Sequence, residues 1–224
     1  WKDTVSINSL WLIVKINWLV PLICMTFSLT KFFKVLILNS SYLTNQFTRF
    51  PQALERAQEI QLLILDVDGV LTDGNLLISP DGKEHTKVFN SLDGHGIKLL
   101  VESGITCAII SGRNSEMVKA RAQALGIEYV FLGVENKLEV FESLRTKLQV
   151  SYRACAAMGD DWPDLGVLSK VGLPIAPAQA HPEVLHIARY ITQLNGGNGA
   201  VREVCDLILK SQNKYHSLLQ QAFQ

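Results

Sequence analysis

The stretch that most constrains this chain runs from Leu62 to Gly74, with the sequence LLILDVDGVLTDG. Its first four residues are all apolar, which is typical of a strand buried on both faces of a parallel sheet. The run ends in Asp66 and Asp68, and residues two apart in an extended chain project to the same side. Two carboxylates that share one small volume repel each other. The pattern therefore indicates a bound cation, a shared proton, or both.

Helical and strand-like patterns alternate along the chain from about residue 51. The predicted strands cover residues 61–67, 105–110, 129–132, 153–158 and 171–175. The predicted helices cover residues 51–58, 96–102, 116–125, 137–148, 163–169, 182–187 and 200–209. Short apolar runs at 76–78 and 86–89 flank a Pro-Asp-Gly turn, which predicts a β-hairpin after the first strand. Strands that alternate with helices predict an α/β fold with a doubly wound, Rossmann-like parallel sheet.

The length of the chain bounds its domain organisation. Its 224 residues provide for one ordinary domain and additional chain. We expect an apolar N-terminal extension outside the fold over residues 1–48, a single folded domain over 49–214 and a C-terminal tail over 215–224.

The apolar run at 10–29 has three interpretations: a membrane anchor, a signal peptide, or an upstream segment outside the folded unit. Lys15, Asn17 and Pro21 interrupt the run, and no small-residue cleavage pattern follows it. The sequence favours an extension that the fold does not need, with Met25 as an alternative start.

Charge and cysteine content narrow the class of partner and the compartment. Lysine plus arginine and aspartate plus glutamate both number 21, so no global charge draws the chain to nucleic acid or to a membrane surface. Membrane contact is expected only if residues 10–29 are an anchor. Cys24, Cys107, Cys155 and Cys205 are far apart without C-x-x-C spacing, which favours a reducing cytoplasm.

Polar residues follow several of the predicted strands, and in doubly wound sheets ligands bind beyond the carboxyl ends of the strands. Ser111 follows the second long strand, Lys137 opens the helix after the third, and Asp160 follows the fourth, with Asp161 and Asp164 close behind. Together with the two carboxylates of the first strand, they predict one site at this edge. Oxygen ligands of this kind suit Mg²⁺.

These segments, in this order, resemble the four motifs of the haloacid dehalogenase-like phosphohydrolase superfamily. The resemblance implies that Asp66 is a nucleophile that forms an aspartyl-phosphate and that Asp68 is the general acid and base. It also implies that Ser111 donates a hydrogen bond to a phosphate oxygen. Lys137 would hold the nucleophile and the phosphate by charge.

Mg²⁺ is the cofactor that the resemblance implies, because a carboxylate that attacks a phosphate dianion needs a cation to screen the repulsion. Its ligands would be Asp66, the backbone carbonyl of Asp68, and Asp160. Asp161 and Asp164 would orient the bound waters or steady those ligands.

Members of this superfamily usually carry a cap domain after the first motif or between the second and third. Here only the hairpin at 75–89 and a single helix and strand within 114–136 occupy those positions. The chain therefore resembles the capless branch, in which a neighbouring subunit often closes the site. The resemblance implies a homo-oligomer, specifically a homotetramer.

Within that branch the chain resembles the 3-deoxy-D-manno-octulosonate 8-phosphate phosphatases, from about residue 53 to 214. The segments that carry this resemblance are 65–74, 89–98, 159–161 and 196–203. The implied reaction is hydrolysis of that sugar-acid phosphate to the free sugar acid and phosphate, on the way to lipopolysaccharide.

The resemblance also implies a set of substrate contacts. A substrate with a phosphate and a carboxylate calls for several cations, and arginine binds such oxyanions in a bidentate manner. By position, the substrate-binding residues would be Asp68, Asn90, Ser91, Leu92, Asp93, Gly94, Lys98, Arg113, Arg121 and Lys137.

The chain departs from this family at two positions. Leu92 stands where a basic residue is common, and Gln179 stands where an acidic residue is usual. The loop Gly196–Gly199 could bind an anion at the N-terminus of the following helix or could be a simple turn. Arg202 is a candidate for reaching the site of a neighbouring subunit.

Three other functions are compatible with the sequence. The nearest is a capless phosphatase for another sugar-acid phosphate, such as a nonulosonate 9-phosphate. A second is a phospho-accepting signalling domain, which also uses a strand-end aspartate and Mg²⁺ but lacks an acid and base two residues later. A third is an inactive scaffold. The presence of a suitable residue at every catalytic position argues against it.

Overall fold

A computed structural model describes residues 50–224 of the chain. The predicted extension over 1–48, with the apolar run at 10–29, Met25 and Cys24, lies outside the described residues. Across residues 50–224, every helix is too short or too polar to cross a bilayer.

The centre of the fold is a parallel sheet of six strands in the order β5-β4-β1-β6-β7-β8. The strands β2 and β3 form a separate antiparallel hairpin. In chain order the strands are β1 Leu62–Leu65, β2 Leu77–Ile78, β3 Glu84–Thr86, β4 Thr106–Ser111, β5 Tyr129–Leu132, β6 Cys155–Met158, β7 Leu173–Ala176 and β8 Tyr190–Ile191.

The helices connect the parallel strands as crossovers and flank the sheet. They are α1 Pro51–Ala57, α2 Ser91–Glu102, α3 Glu116–Leu125, α4 Lys137–Leu148, α5 Leu165–Leu168, α6 Pro182–Ile187, α7 Ala200–Ser211 and α8 Tyr215–Gln221. Short 3₁₀ turns occupy Tyr152–Ala154 and Trp162–Asp164.

Both faces of the sheet are covered by apolar side chains. Leu63 and Leu65 of β1 belong to the core that contains buried residues of α2, α3 and α7. Leu62 and Ile64 alternate to the other face, where they belong to the core that contains Phe141 of α4. Because both faces of β1 are buried, its apolar run has no polar alternation. The expected doubly wound parallel sheet is confirmed.

The connection from β1 to α2 carries only the hairpin of β2 and β3, as predicted. In the part of the chain that the structure describes, no cap domain is inserted there or between β4 and α4. The edge of the sheet at which β1 ends is therefore reached by short segments alone.

Helix α2 begins at Ser91, five residues before the predicted start. The side chain of Asn90 caps it by accepting hydrogen bonds from the backbone N–H of Leu92 (2.8 Å) and Asp93 (3.4 Å). Glycine weakens isolated helices, and this helix contains Gly94 and Gly96. In the structure they permit close packing, since a Cβ at Gly96 would lie 2.9 Å from the Arg202 side chain.

Two elements were not predicted. Strand β8 is only two residues long, which leaves no periodic signal. The expected C-terminal tail at 215–224 contains helix α8, and Tyr215 and Leu218 of this helix pack against the core. The folded part thus continues beyond Lys214.

Candidate active site

Three neighbouring strands bring the first part of the site together. Strand β1 lies between β4 and β6, with Leu65 opposite Ile109 on one side and opposite Met158 on the other. Parallel strands in register end at the same edge of a sheet. The residues that end these strands or follow them are Asp66 after β1, Ser111 at the end of β4, and Asp160 two residues after β6.

Lys137 enters the site from the first turn of α4. Its side chain is only 6% exposed, and its Nζ lies 2.9 Å from Asp66 Oδ1 and 2.8 Å from Asp164 Oδ1. Asn136 precedes it and caps the helix by accepting a hydrogen bond from the N–H of Glu139 (3.3 Å). The cap fixes where the helix starts, and thereby where the ammonium group points.

Asp66, Asp160 and Asp164 form a carboxylate cluster, with one oxygen from each lying within 4.8 Å of the others. Burial, and then the charge of Asp164, raise the pKa of Asp66 to about 7, against the opposing effect of Lys137. Burial, and then the neighbouring carboxylates, raise the pKa of Asp160 to about 6. Lys137 supplies one positive charge against three carboxylates. Such a set of oxygen donors fits a divalent cation.

Asp164 lies closer to this cluster than the sequence suggested. It was expected only to steady the metal's waters or ligands, whereas its carboxylate is one of the three clustered groups. Its Oδ2 also accepts hydrogen bonds from the N–H of Asp160 (3.2 Å) and of Asp161 (3.5 Å). Asp161 itself is exposed. Asp164 thus both fixes the loop after β6 and contributes an oxygen to the cluster.

The loop after β1 must come very close to Asp160. Gly69 has a φ of +83°, and a Cβ built there would overlap the Asp160 carboxylate. Only glycine meets both the backbone angle and the space. This explains the glycine that follows the two aspartates in the sequence.

Gln179 links this loop to the loop before α7. Its Nε2 donates to the carbonyl oxygen of Gly69 (2.7 Å), and its Oε1 accepts from the N–H of Gly196 (2.9 Å). An ionised acid, which the resemblance implies at this position, cannot donate a hydrogen bond. The departure from the family pattern therefore has a structural role here.

Asp68 belongs to a closed ring of charges on the hairpin side of the site. Lys87 Nζ lies 2.5 Å from Asp68 Oδ1 and 2.9 Å from Glu84 Oε1. Arg113 Nη2 lies 3.3 Å from Glu84 Oε2, and Arg113 Nε lies 3.6 Å from Asp68 Oδ2. Two carboxylates and two cations thus alternate around the ring.

The sequence did not single out Lys87 or Glu84. An extended chain would place residues three apart on opposite sides. Strand β3 ends at Thr86, however, so Lys87 lies outside the regular strand and both side chains reach the same ring. No periodic pattern could have indicated this.

Ser111 is buried at the end of β4, where its Oγ accepts a hydrogen bond from the N–H of Arg113 (3.3 Å). Its own hydroxyl proton has the freedom to point toward an anion at the same edge. The predicted role as a phosphate donor stays a prediction with this geometry.

The predicted substrate segment at 90–94 is partly used by the fold itself. The Asn90 side chain caps α2, and Leu92 is 58% exposed. Asp93 is buried, and its carboxylate accepts from the N–H of Gly199 (3.3 Å) and of Arg202 (2.8 Å). The structure thus turns the Asp93 carboxylate toward α7, not toward the clustered carboxylates.

Asp93 also decides between the two interpretations of the Gly196–Gly199 loop. The N-terminus of α7 does hold an anion, and that anion is the chain's own Asp93 carboxylate. Arg202 lies in the first turn of this helix, and its Nε donates to Asp206 Oδ1 (2.7 Å).

The other expected substrate contacts lie nearby in different environments. Ser91 and Lys98 are exposed on α2. Arg121 does not simply face solvent, because its Nη2 donates to the carbonyl oxygen of Asn90 (3.3 Å). Its guanidinium packs so closely on α2 that a Cβ at Gly94 would overlap it.

Comparison with known proteins agrees with this geometry. Residues 133–204 match the haloacid dehalogenase-like hydrolase family. The 3-deoxy-D-manno-octulosonate 8-phosphate phosphatase of Salmonella typhimurium is 46% identical over 164 residues, which cover 73% of this chain and 87% of that protein. The chain belongs to the haloacid dehalogenase-like hydrolases.

Solved structures of this family show the same fold. The corresponding phosphatase from Yersinia pestis is 45% identical, with a TM-score of 0.72 over 74% of this chain and 89% of that one. The enzyme from Moraxella catarrhalis, in complex with magnesium, phosphate and KDO, is 42% identical, with a TM-score of 0.74 over 77% of this chain and 98% of that one.

Proposed function

We propose that this hydrolase releases phosphate from 3-deoxy-D-manno-octulosonate 8-phosphate. The observation that carries the proposal is the contact of Lys137 with Asp66 and Asp164, in a cluster that also contains Asp160. Asp68 lies two residues from Asp66, and its carboxylate is bound by Lys87 and not by Lys137. The identity of the sugar acid is supported by relatives that are 46% identical and named for this reaction.

Mg²⁺ is the proposed cofactor, as in the magnesium complex of the Moraxella catarrhalis relative. Asp66 and Asp160 would hold it together with the backbone carbonyl of Asp68. Asp164, which was expected to support these ligands, is close enough to offer an oxygen as well. When bound, the ion supplies positive charge that screens the carboxylates from the substrate phosphate.

The chain's own residues divide the reaction into two displacements. An oxygen of Asp66 attacks phosphorus, the bond from phosphorus to the sugar oxygen breaks, and the carboxylic acid of Asp68 gives that oxygen its proton. Water then attacks the phosphorus of the aspartyl-phosphate while the Asp68 carboxylate takes a proton from it. The Asp66–phosphorus bond breaks, which restores the Asp66 carboxylate and releases phosphate. Lys137 stabilises negative charge on Asp66 and the phosphoryl oxygens.

The sugar-acid end of the substrate requires cations outside the carboxylate cluster. Arg113 is paired with Glu84 and Asp68 but is still 45% exposed, and Lys98 is exposed on α2, so both can be reached by a carboxylate or hydroxyl groups of a substrate. Asn90, Ser91, Leu92 and Gly94 would contribute mainly through the backbone around the start of α2. Arg121 would act from behind this segment, since it already bonds to Asn90.

The test is a panel of 2-keto-3-deoxy sugar phosphates assayed for phosphate release. We expect kcat/KM for the 8-phosphate to exceed that for a nonulosonate 9-phosphate by about tenfold or more, a typical discrimination for small differences in substrate shape. Activity should disappear with EDTA and return with Mg²⁺. A higher kcat/KM for the 9-phosphate would contradict the assigned substrate and would leave the phosphatase chemistry in place.

We also infer that the protein is a homotetramer assembled through the hairpin. Among the described residues, five large apolar side chains between 43% and 67% exposed lie on or beside it: Leu76, Leu77, Ile78, Val88 and Leu92. Large apolar side chains that are exposed together in one segment are typical of association surfaces. A capless site also requires something to close it.

Replacing Leu77 and Ile78 by glutamate is expected to break the tetramer, because charges at the centre of an apolar contact lose their hydration. Light scattering should give four times the mass of one chain for the natural protein and a lower multiple for the double variant. Phe223→Glu is the matched control, since Phe223 is also apolar and exposed but lies at the far end of the chain. A double variant that kept the full mass would remove the hairpin from the interface.

We place the enzyme in the cytoplasm. Cys107, Cys155 and Cys205 are free and buried in the structure, which suits a reducing compartment. Cys24 lies outside the described residues.

A further inference from the structure

Lys87 is an unusually buried lysine on an otherwise exposed element. Both residues of β2 are exposed, and so are His85 and Thr86 beside it. The Lys87 side chain is nevertheless only 2% exposed, and its ammonium group forms a hydrogen bond to Asp68 and an ion pair with Glu84. Burying a long charged side chain costs both hydration and side-chain entropy. The burial of Lys87 is therefore not explained by an ordinary surface ion pair.

The contacts of Lys87 lead directly to the proposed acid and base. Its Nζ lies 2.5 Å from Asp68 Oδ1, which leaves Asp68 Oδ2 beside Arg113 at 3.6 Å. A carboxylate that exchanges protons with substrate works well only when its orientation is fixed by neighbouring groups. Lys87 fixes one oxygen of Asp68 and leaves the other for chemistry.

Glu84 connects Lys87 to Arg113, which is a proposed substrate contact. Its side chain is only 8% exposed and lies between Lys87 (2.9 Å) and Arg113 (3.3 Å). The hairpin thus holds the acid and base through Lys87 and a proposed substrate arginine through Glu84. Neither hairpin residue is among the proposed substrate contacts.

We propose that Lys87 is a positioning residue that orients Asp68 for proton transfer to and from the leaving sugar oxygen and water. This inference rests on the proposed function, because it assumes the role of Asp68 as acid and base. A merely structural Lys87 would tie the hairpin to the domain and would affect every substrate alike. A positioning Lys87 affects a substrate in proportion to its need for a proton.

The experiment compares two leaving groups in single-turnover formation of the aspartyl-phosphate, measured by acid quench on the full chain with Mg²⁺. The sugar-acid phosphate must expel an alkoxide, which requires the proton from Asp68. An aryl phosphate such as p-nitrophenyl phosphate expels a stabilised phenolate, which does not. The first step is measured because the second step requires Asp68 for both substrates.

For Lys87→Met we expect the sugar-acid phosphate to react about 10- to 100-fold more slowly, the usual cost of removing a group that orients a catalytic residue. The aryl phosphate should slow by no more than about threefold, because its first step omits the proton transfer. Lys87→Arg retains the charge with a different shape and should recover part of the loss. Lys83→Met is the matched control and should match the natural protein, since Lys83 is an exposed lysine of the same hairpin.

Equal slowing of both substrates by Lys87→Met, or no slowing of either, would overturn the proposal. If that variant does not fold, Lys87→Gln carries the same comparison, because it removes the positive charge beside Asp68 and leaves the pairing of Glu84 with Arg113 in place. It should again slow the sugar-acid phosphate selectively. A natural protein that formed neither aspartyl-phosphate nor free phosphate in a single turnover would refute the proposed function instead, so the two failures are distinguishable.

Discussion

Asp66→Asn is expected to reduce phosphate release by about 10⁴-fold or more, the scale seen when a nucleophile is removed. The amide cannot form the acyl phosphate, and it is a poorer ligand for Mg²⁺ than a carboxylate. The protein should remain folded. Burial raises the pKa of Asp66 to about 7, so the fold disfavours the charged carboxylate and tolerates a neutral amide.

The stability of this variant is an equally sharp test. A group whose folded pKa lies above its unfolded value destabilises the fold as the pH rises through that range. In Mg²⁺-free buffer at pH 8, Asp66→Asn should therefore melt at the same temperature as the natural protein or higher. Glu102→Gln, at an exposed acid on α2, is the control and should leave both activity and melting unchanged. A catalytically active Asp66→Asn would remove Asp66 as the nucleophile.

The sequence could predict the sheet and the carboxylates because local patterns encode them. An uninterrupted apolar run requires a strand covered on both faces, as Leu62–Leu65 are. The parallel topology then brings the ends of β1, β4 and β6 to one edge. Asp66, Ser111 and Asp160 follow from this topology alone.

The sequence could not predict which polar side chains bind other parts of the fold instead of a substrate. Asp93 was expected to bind substrate, yet its carboxylate accepts backbone hydrogen bonds at the start of α7, more than 100 residues later. Glu84 and Lys87 were absent from the expected site because their partner, Asp68, lies across the hairpin connection. Contacts of this kind depend on tertiary packing and leave no trace in local periodicity.

Gln179 is a further residue whose role could not be predicted from the sequence. The resemblance implies an acidic residue at position 179, so the glutamine there gave no reason to assign its loop a function. In the structure the amide donates to Gly69 and accepts from Gly196, which joins the loop after β1 to the loop before α7. An amide can donate and accept hydrogen bonds at once, so glutamine can link the two loops where a charged carboxylate could only accept.

Asp68→Asn is expected to separate the two halves of the reaction. With the sugar-acid phosphate, the leaving alkoxide receives no proton, and steady-state release should fall by about 10²- to 10⁴-fold, the usual contribution of general acid–base catalysis. With an aryl phosphate, Asp66 should still be phosphorylated. The aspartyl-phosphate should then accumulate, because the water that attacks it has no base. Acid-quenched protein should carry bound phosphate in this variant and little in the natural enzyme.

This prediction also decides between the hydrolase and a phospho-accepting signalling domain, whose acyl phosphate must persist. Asp68 favours turnover because it stands two residues from Asp66 and is held by Lys87 and Arg113. An amide at position 68 would leave those two cations with only the Glu84 carboxylate between them. Melting should therefore be measured alongside, with Glu102→Gln as the control. Undiminished phosphate release from a folded Asp68→Asn would show that another group carries the proton. A natural protein that keeps its phosphate as long as the variant does would favour the signalling function.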